Sequence, residues 1–160
     1  GRASMGFFFP LTAETIRRAG CRRVLDIGCG DARFLRHLCA RVPGIRAVGL
    51  DRSPEAVQAA RERIAAENLT DRIEMICGDA FELDKYAEPL RGVDAATSFF
   101  VLHELCGGPD GGPLKPFLET YRRALPGVPL IAIEAIRPTI DEMRRRPGPI
   151  SPRAPPAAMN

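Results

Sequence analysis

Three aspartates follow apolar stretches of this chain: Asp26 lies within residues 24–27, Asp51 just after residues 45–50, and Asp79 just after residues 72–77. If those stretches are parallel strands, the three carboxylates gather at one edge of a sheet, the edge where open α/β sheets bind ligands. An anionic cofactor is repelled there. A carboxylate after the second strand can accept both hydroxyls of a ribose, a further one can accept the amino group of a base, and several together tolerate a cation. The ligand implied is a nucleoside that carries positive charge and no phosphate. Gly28 and Gly30 break the first stretch and offer no side chain where a ligand must approach the backbone. A dinucleotide fingerprint needs a glycine where this chain has Arg33, so the glycines alone are a weak sign.

One further group could move a proton. His103, in Val101-Leu102-His103-Glu104-Leu105, follows the stretch at residues 93–99, and imidazole suits a general base near neutral pH. The plainer reading is a polar residue at a pocket rim. A metal site built from His103, Glu104 and Asp110 would suit iron or zinc, but adjacent helical residues diverge and a single histidine is in play, so no metal ligand is assigned. His37 sits between Leu35 and Leu38 on a helix and reads as structural. The five cysteines (Cys21, Cys29, Cys39, Cys77, Cys106) are odd in number and hold no C-x-x-C pair, which suggests reduced, mostly buried thiols.

The elements that must position these groups alternate along the chain. Strands are expected at residues 24–27, 45–50, 72–77, 93–99 and 130–135, and helices at 11–19, 34–40, 53–67 and 117–125. Ser53-Pro54-Glu55 supplies a capping oxygen, a proline at the first helical position and an early acid. Strands separated by helices require crossover connections, hence an α/β fold with a parallel sheet covered on both faces. Residues 1–5 read as an expression scar, residues 6–137 as one domain, and residues 138–160, rich in proline and arginine, as a partly disordered tail.

The 160 residues suffice for one compact domain. Five arginines against two acids lie in residues 137–160, and the rest of the chain balances at 18 basic and 18 acidic residues. A neutral body carries no nucleic-acid footprint. No apolar run reaches the ~18 residues of a membrane span and no secretory signal is present, so the protein is expected to be cytoplasmic, with no membrane partner.

In the order and spacing of VLDIGCGDARFL, AVGLDRSPEAVQAA, ICGDAF and DAATSFFVLHEL, residues 12–137 resemble the class I S-adenosylmethionine-dependent methyltransferases. The resemblance implies a Rossmann-like three-layer α/β/α fold with strand order 3-2-1-4-5. It places Asp26, Gly28 and Gly30 at the methionine and ribose end of S-adenosylmethionine, Asp51 on the ribose hydroxyls and Asp79 on the adenine amino group. The backbone N–H of Ala80 would meet the ring, Arg52 and Phe81 would pack about it, and Ser98 and Phe99 would approach the methionine moiety. The product left after transfer would be S-adenosylhomocysteine. HEL at residues 103–105 and the Arg-Arg-Arg-Pro-Gly-Pro run at 144–149 are similar to bacterial C-methyltransferases of 2-oxo acids, which use a bound metal, so the expected acceptor is a small molecule such as a 2-oxo acid or another secondary metabolite.

That family adds an antiparallel strand pair after the fifth parallel strand, and residues 137–160 are too rich in proline to build it. The alternative is therefore a shortened cofactor-binding domain without catalysis, acting as a fragment or assembly partner. Residues 130–136, apolar at nearly every position, would then form an edge strand, and Phe7, Phe8 and Phe9 a second apolar patch, so a homo-oligomer or a longer protein is expected to cover them.

Overall fold

The computed structural model describes residues 2–105 and 114–134. Cys106, Asp110, residues 135–137 and the 138–160 tail lie outside the described residues. In chain order the elements are α1 (Arg2–Arg18), β1 (Arg23–Ile27), α2 (Arg33–Arg41), β2 (Arg46–Asp51), α3 (Pro54–Ala66), β3 (Ile73–Cys77), a 3₁₀ segment (Ala80–Tyr86), α4 (Ala87–Leu90), β4 (Ala95–Phe99), α5 (Leu102–Leu105), α6 (Leu114–Ala124) and β5 (Leu130–Ile133). The five strands form one parallel sheet in the order β3-β2-β1-β4-β5.

Alternation along each central strand sends side chains to two separate cores. Val24, Ala47 and Ala95 face one side, where Phe34, Leu38, Val57 and Ile64 of α2 and α3 cover them. Leu25, Val48 and Ala96 face the other, under Leu83, Leu90, Phe117 and Tyr121. β1, β2 and β4 are therefore buried on both faces, as parallel strands between crossover helices must be. Ser53 caps α3 as its sequence requires, its hydroxyl accepting from the Ala56 N–H at 3.1 Å with Pro54 in the first turn. Among the described residues β5 is the outermost strand on its side of the sheet, and it is only half-buried, with Ala132 exposed.

The N-terminus departs from the sequence expectation. Local patterning starts the first helix at residue 11, after Pro10, which lacks a backbone donor. α1 instead runs from Arg2 to Arg18 with Pro10 inside it. Packing explains the difference: Phe9, Ala13 and Ile16 recur at helical spacing and are all buried, and the Phe9 ring lies 5.2 Å from Phe34 and 5.0 Å from Phe99 between ring centres. The expected triple-phenylalanine patch is correspondingly reduced, since Phe9 is core, Phe8 is half-buried and Phe7 is 67% exposed. Of the described cysteines Cys29 and Cys39 are buried, Cys21 is half-buried and Cys77 is exposed at the end of β3.

Phe9→Ala should destabilise the chain by about 3–5 kcal/mol, the usual cost of emptying a buried phenylalanine site, whereas Phe7→Ala should stay within about 0.5 kcal/mol. Urea unfolding of both variants checks this; equal effects would show that α1 does not dock as described.

Candidate functional site

The carboxyl ends of β1, β2, β3 and β4 enclose a cavity of about 340 Å³, within the range of small-molecule sites. Of the residues expected there, Gly28, Asp51, Arg52, Asp79, Ala80, Phe81 and Phe99 line it. Ile27, Leu50, Gly78, Phe100, Val101 and Leu105 complete the wall.

Asp51 organises the centre. Its Oδ2 accepts the Gly30 N–H at 2.8 Å and its Oδ1 accepts the Ser53 N–H at 2.9 Å. The remaining lone pairs on a half-buried carboxylate at a cavity wall are free to accept two neighbouring hydroxyls. Its backbone carbonyl accepts from Gly78 at 2.9 Å, and the Leu50 carbonyl accepts from Gly28 at 2.8 Å and Cys29 at 3.1 Å. The glycine turn is thus hydrogen-bonded to the end of β2. Gly28 has φ +68°, and a Cβ there would lie 2.5 Å from a methyl of Val101, so the position demands glycine on both counts. Gly78 is crowded on the side-chain count alone, because a Cβ would meet the Tyr86 hydroxyl unless that ring shifted.

Asp79 stands exposed at the β3 end, and its Oδ1 caps the 3₁₀ segment by accepting from Phe81 N–H at 2.9 Å. Phe81 packs edge-on to Phe117 with ring centres 6.3 Å apart, which fixes the ring at the rim. Gly30 is off the cavity wall, has φ +53°, and has no atom within 4 Å of where a Cβ would stand.

Three expected residues are placed differently. Asp26 is 3% exposed, beneath the turn rather than on the cavity wall, because the β1–β4 register sets it beside Thr97, whose hydroxyl donates to its Oδ1 at 2.7 Å. Burial pushes the Asp26 carboxyl up to about 7; the Thr97 hydrogen bond pulls it down, and the charge of Asp51 adds to the rise. Ser98 is fully buried, since strand alternation turns it to the face opposite Thr97 and Phe99, and its hydroxyl meets no partner among the described residues. His103 lies on α5 between Val101 and Leu105, which line the cavity while it does not.

His103 is nevertheless held. Its Nδ1 lies 2.8 Å from Oε2 of Glu134, the residue just after β5, while Oε1 of the same carboxylate accepts from the N–H groups of Val101 at 2.9 Å and Leu102 at 2.7 Å. Sequence reasoning missed Glu134, although a lone acid in an otherwise apolar strand run was a readable sign. Among the described residues no three histidine, cysteine or acidic side chains converge as metal ligands. The Cys29 thiol is buried near Asp26 and Asp51, and burial followed by those two charges pushes it up, away from thiolate chemistry. Burial, followed by the charge of Arg41, pulls His37 down, in keeping with a structural role. Among the described residues no helix is long and apolar enough to cross a membrane.

The comparisons agree with this fold. Residues 24–125 match a family model described as a methyltransferase domain. The chain is 34% identical over 131 residues to the indolepyruvate C-methyltransferase of Streptomyces griseus, covering 80% of this chain and 36% of that protein. It is 34% identical over 93 residues to the 3-hydroxy-5-methyl-1-naphthoate 3-O-methyltransferase of Streptomyces sahachiroi, covering 58% of this chain and 25% of that one. The solved apo structure of the S-adenosylmethionine-dependent methyltransferase SibL superposes with a TM-score of 0.64 at 25% identity, over 82% of this chain and 36% of the other. The chain thus spans between a quarter and just over a third of these relatives.

The Asp26 placement has a pH signature. A carboxyl whose folded pKa is raised stays protonated in the folded state between about 4 and about 7 while the unfolded chain ionises, so stability falls as pH rises through that window, by up to about 1.4 kcal/mol per pH unit. Asp26→Asn, which keeps an acceptor for Thr97, should remove this loss. Denaturant unfolding at pH 5 and pH 7 measures it: the advantage of the variant should grow with pH, and a constant difference would reject a buried, protonated Asp26.

Proposed function

From the premise that this chain belongs to the class I S-adenosylmethionine-dependent methyltransferases, we propose that it transfers a methyl group from S-adenosylmethionine to a small-molecule acceptor, a 2-oxo acid or another secondary metabolite. The observation that carries the reading is the Asp51 carboxylate, presented on the cavity wall by the Gly30 and Ser53 N–H groups. In this reading Asp51 accepts the ribose hydroxyls, Asp79 the adenine amino group through its outer oxygen, and Ala80 offers its backbone N–H to the ring, with Arg52 and Phe81 flanking. Gly28 and Gly30 give the backbone its close approach at the methionine end, beside Phe99. Asp26 and Ser98, both buried, support the turn and strand from beneath rather than touching the ligand.

Bound S-adenosylmethionine supplies an electrophilic methyl group on a sulfonium, and the protein's task is alignment together with removal of the acceptor's proton. The names of the two relatives specify a carbon and an oxygen acceptor, and either has a proton to lose. His103 is the residue proposed to take it. Glu134 acts as the positioning residue, because its hydrogen bond to Nδ1 fixes the imidazole and leaves Nε2 as the nitrogen that would take a proton. No step is assigned to a metal, for which the described residues provide no ligand set.

Calorimetry with S-adenosylhomocysteine tests the binding half. Asp51→Ala should weaken affinity by about 1.5–3 kcal/mol per charged hydrogen bond lost, and unchanged affinity would remove the assignment.

Transfer of labelled methyl groups to a panel of phenols, amines and oxo acids tests the catalytic half. Once an acceptor is found, His103→Ala should lower turnover by a factor of about 10²–10⁴ without altering S-adenosylhomocysteine affinity, and Glu134→Gln should lower kcat while leaving the KM of the acceptor unchanged. Cofactor binding with no transfer to any acceptor would favour a binding domain without catalysis.

A further inference from the structure

The cavity has two chemically different ends. Its polar groups, Asp51, Arg52 and Asp79, follow β2 and β3, while the β4 end is walled by Phe99 and Phe100. Because β1 separates β2 from β4 in the sheet, these ends lie on opposite sides of the glycine turn. The aromatic end continues outside the cavity into α1. Phe99 packs on Phe34 with ring centres 4.6 Å apart and on Phe9 at 5.0 Å, and Phe100 meets Phe8 edge to face at 6.4 Å. Phe7, two-thirds exposed, extends the row at 5.5 Å from Phe8.

Phe100 also has φ +59°, a left-handed backbone conformation that a bulky aromatic residue rarely adopts. Its surroundings enforce that conformation. The Phe100 N–H donates to the Ile133 carbonyl at 2.7 Å, the next two N–H groups donate to Glu134, and the Val101 side chain rests against the bare face of Gly28. Strain kept in place by several independent contacts is a mark of ligand sites. Here it sets the Phe100 ring on the cavity wall, next to Phe99 and in reach of α1.

We propose that Phe99 and Phe100, backed by Phe8 and Phe9 of α1, form the acceptor subsite, and that the acceptor is a planar aromatic or heteroaromatic molecule packed against this wall. The inference rests on the reading in which the β2 and β3 ends hold the nucleoside, since that leaves the β4 end for the acceptor. Ring faces and edges arranged in this way attract another ring through their quadrupoles beyond simple burial, an attraction a saturated ring of equal size does not share. The same position brings a ring substituent towards α5, which carries His103.

The chain contains no tryptophan, so a naphthalene probe can be followed by its own fluorescence. 2-Naphthol is titrated into the full chain, alone and saturated with S-adenosylhomocysteine, with saturated decahydro-2-naphthol as competitor. Saturable naphthol binding is expected in the presence of S-adenosylhomocysteine, with the saturated analogue binding weaker. Phe100→Leu and Phe8→Leu should each weaken naphthol by about two- to tenfold, and Phe100→Tyr, which keeps a ring, should restore binding. Phe8→Leu should leave S-adenosylhomocysteine affinity within about twofold, as Phe8 is off the cavity wall. Equal binding of the two competitors, or naphthol affinity indifferent to Phe100→Leu, would overturn the aromatic subsite. Loss of naphthol as S-adenosylhomocysteine saturates would do the same, by placing the probe in the nucleoside end. Failure of S-adenosylhomocysteine to bind at all would instead strike the underlying reading, and the titration without it would still report on the aromatic wall.

Discussion

Two residues at the end of β2 accept the backbone of the turns after β1 and β3 and of the α3 cap. The carbonyls of Leu50 and Asp51 and both side-chain oxygens of Asp51 take the N–H groups of Gly28, Cys29, Gly30, Ser53 and Gly78. Those donors belong to the turn after β1, the cap of α3 and the turn after β3. A parallel strand ends abruptly, and the turns beyond it have no partner strand to satisfy their donors. Here the central strand's own terminus meets that demand. The same carboxylate that locks the turns also faces the cavity, so one side chain serves the fold and the ligand reading together.

The β4 side is organised by a second carboxylate. Glu134 gathers the N–H groups of Val101 and Leu102 and the ring of His103, which fixes a loop that must turn sharply at Phe100. Val101 is then pressed onto Gly28, so the two halves of the site touch at a place where neither a larger residue at 28 nor a freer loop at 100–102 would fit. Asp26 shows the cost of such crowding. It is buried beside Thr97 with no basic side chain acting on it among the described residues, and its carboxyl is pushed towards the neutral form.

α1 illustrates a different principle. Pro10 is a local obstacle to a continuous helix, yet burial of Phe9, Ala13 and Ile16 outweighs one missing backbone hydrogen bond. The consequence reaches the site, because Phe9 supports Phe99 and Phe8 meets Phe100. An N-terminal segment that sequence patterning treats as partly dispensable becomes the backing of the cavity's aromatic wall.

Local chemistry and periodicity determined much of this protein from the sequence alone. The alternating strands and helices, the parallel sheet, the Ser53 cap, the glycine turn and the carboxylates at 51 and 79 were legible because each depends on residues close in sequence. What only the tertiary structure decided are the relations across the sheet. Register placed Asp26 under Thr97 and turned Ser98 inward, pairing of β4 with β5 brought Glu134 to His103 from 31 residues away, and docking of α1 buried Phe9. No local pattern encodes these, since strand register and helix docking are chosen by the packing of whole faces, and a shift of one residue would send each central-strand side chain to the opposite core.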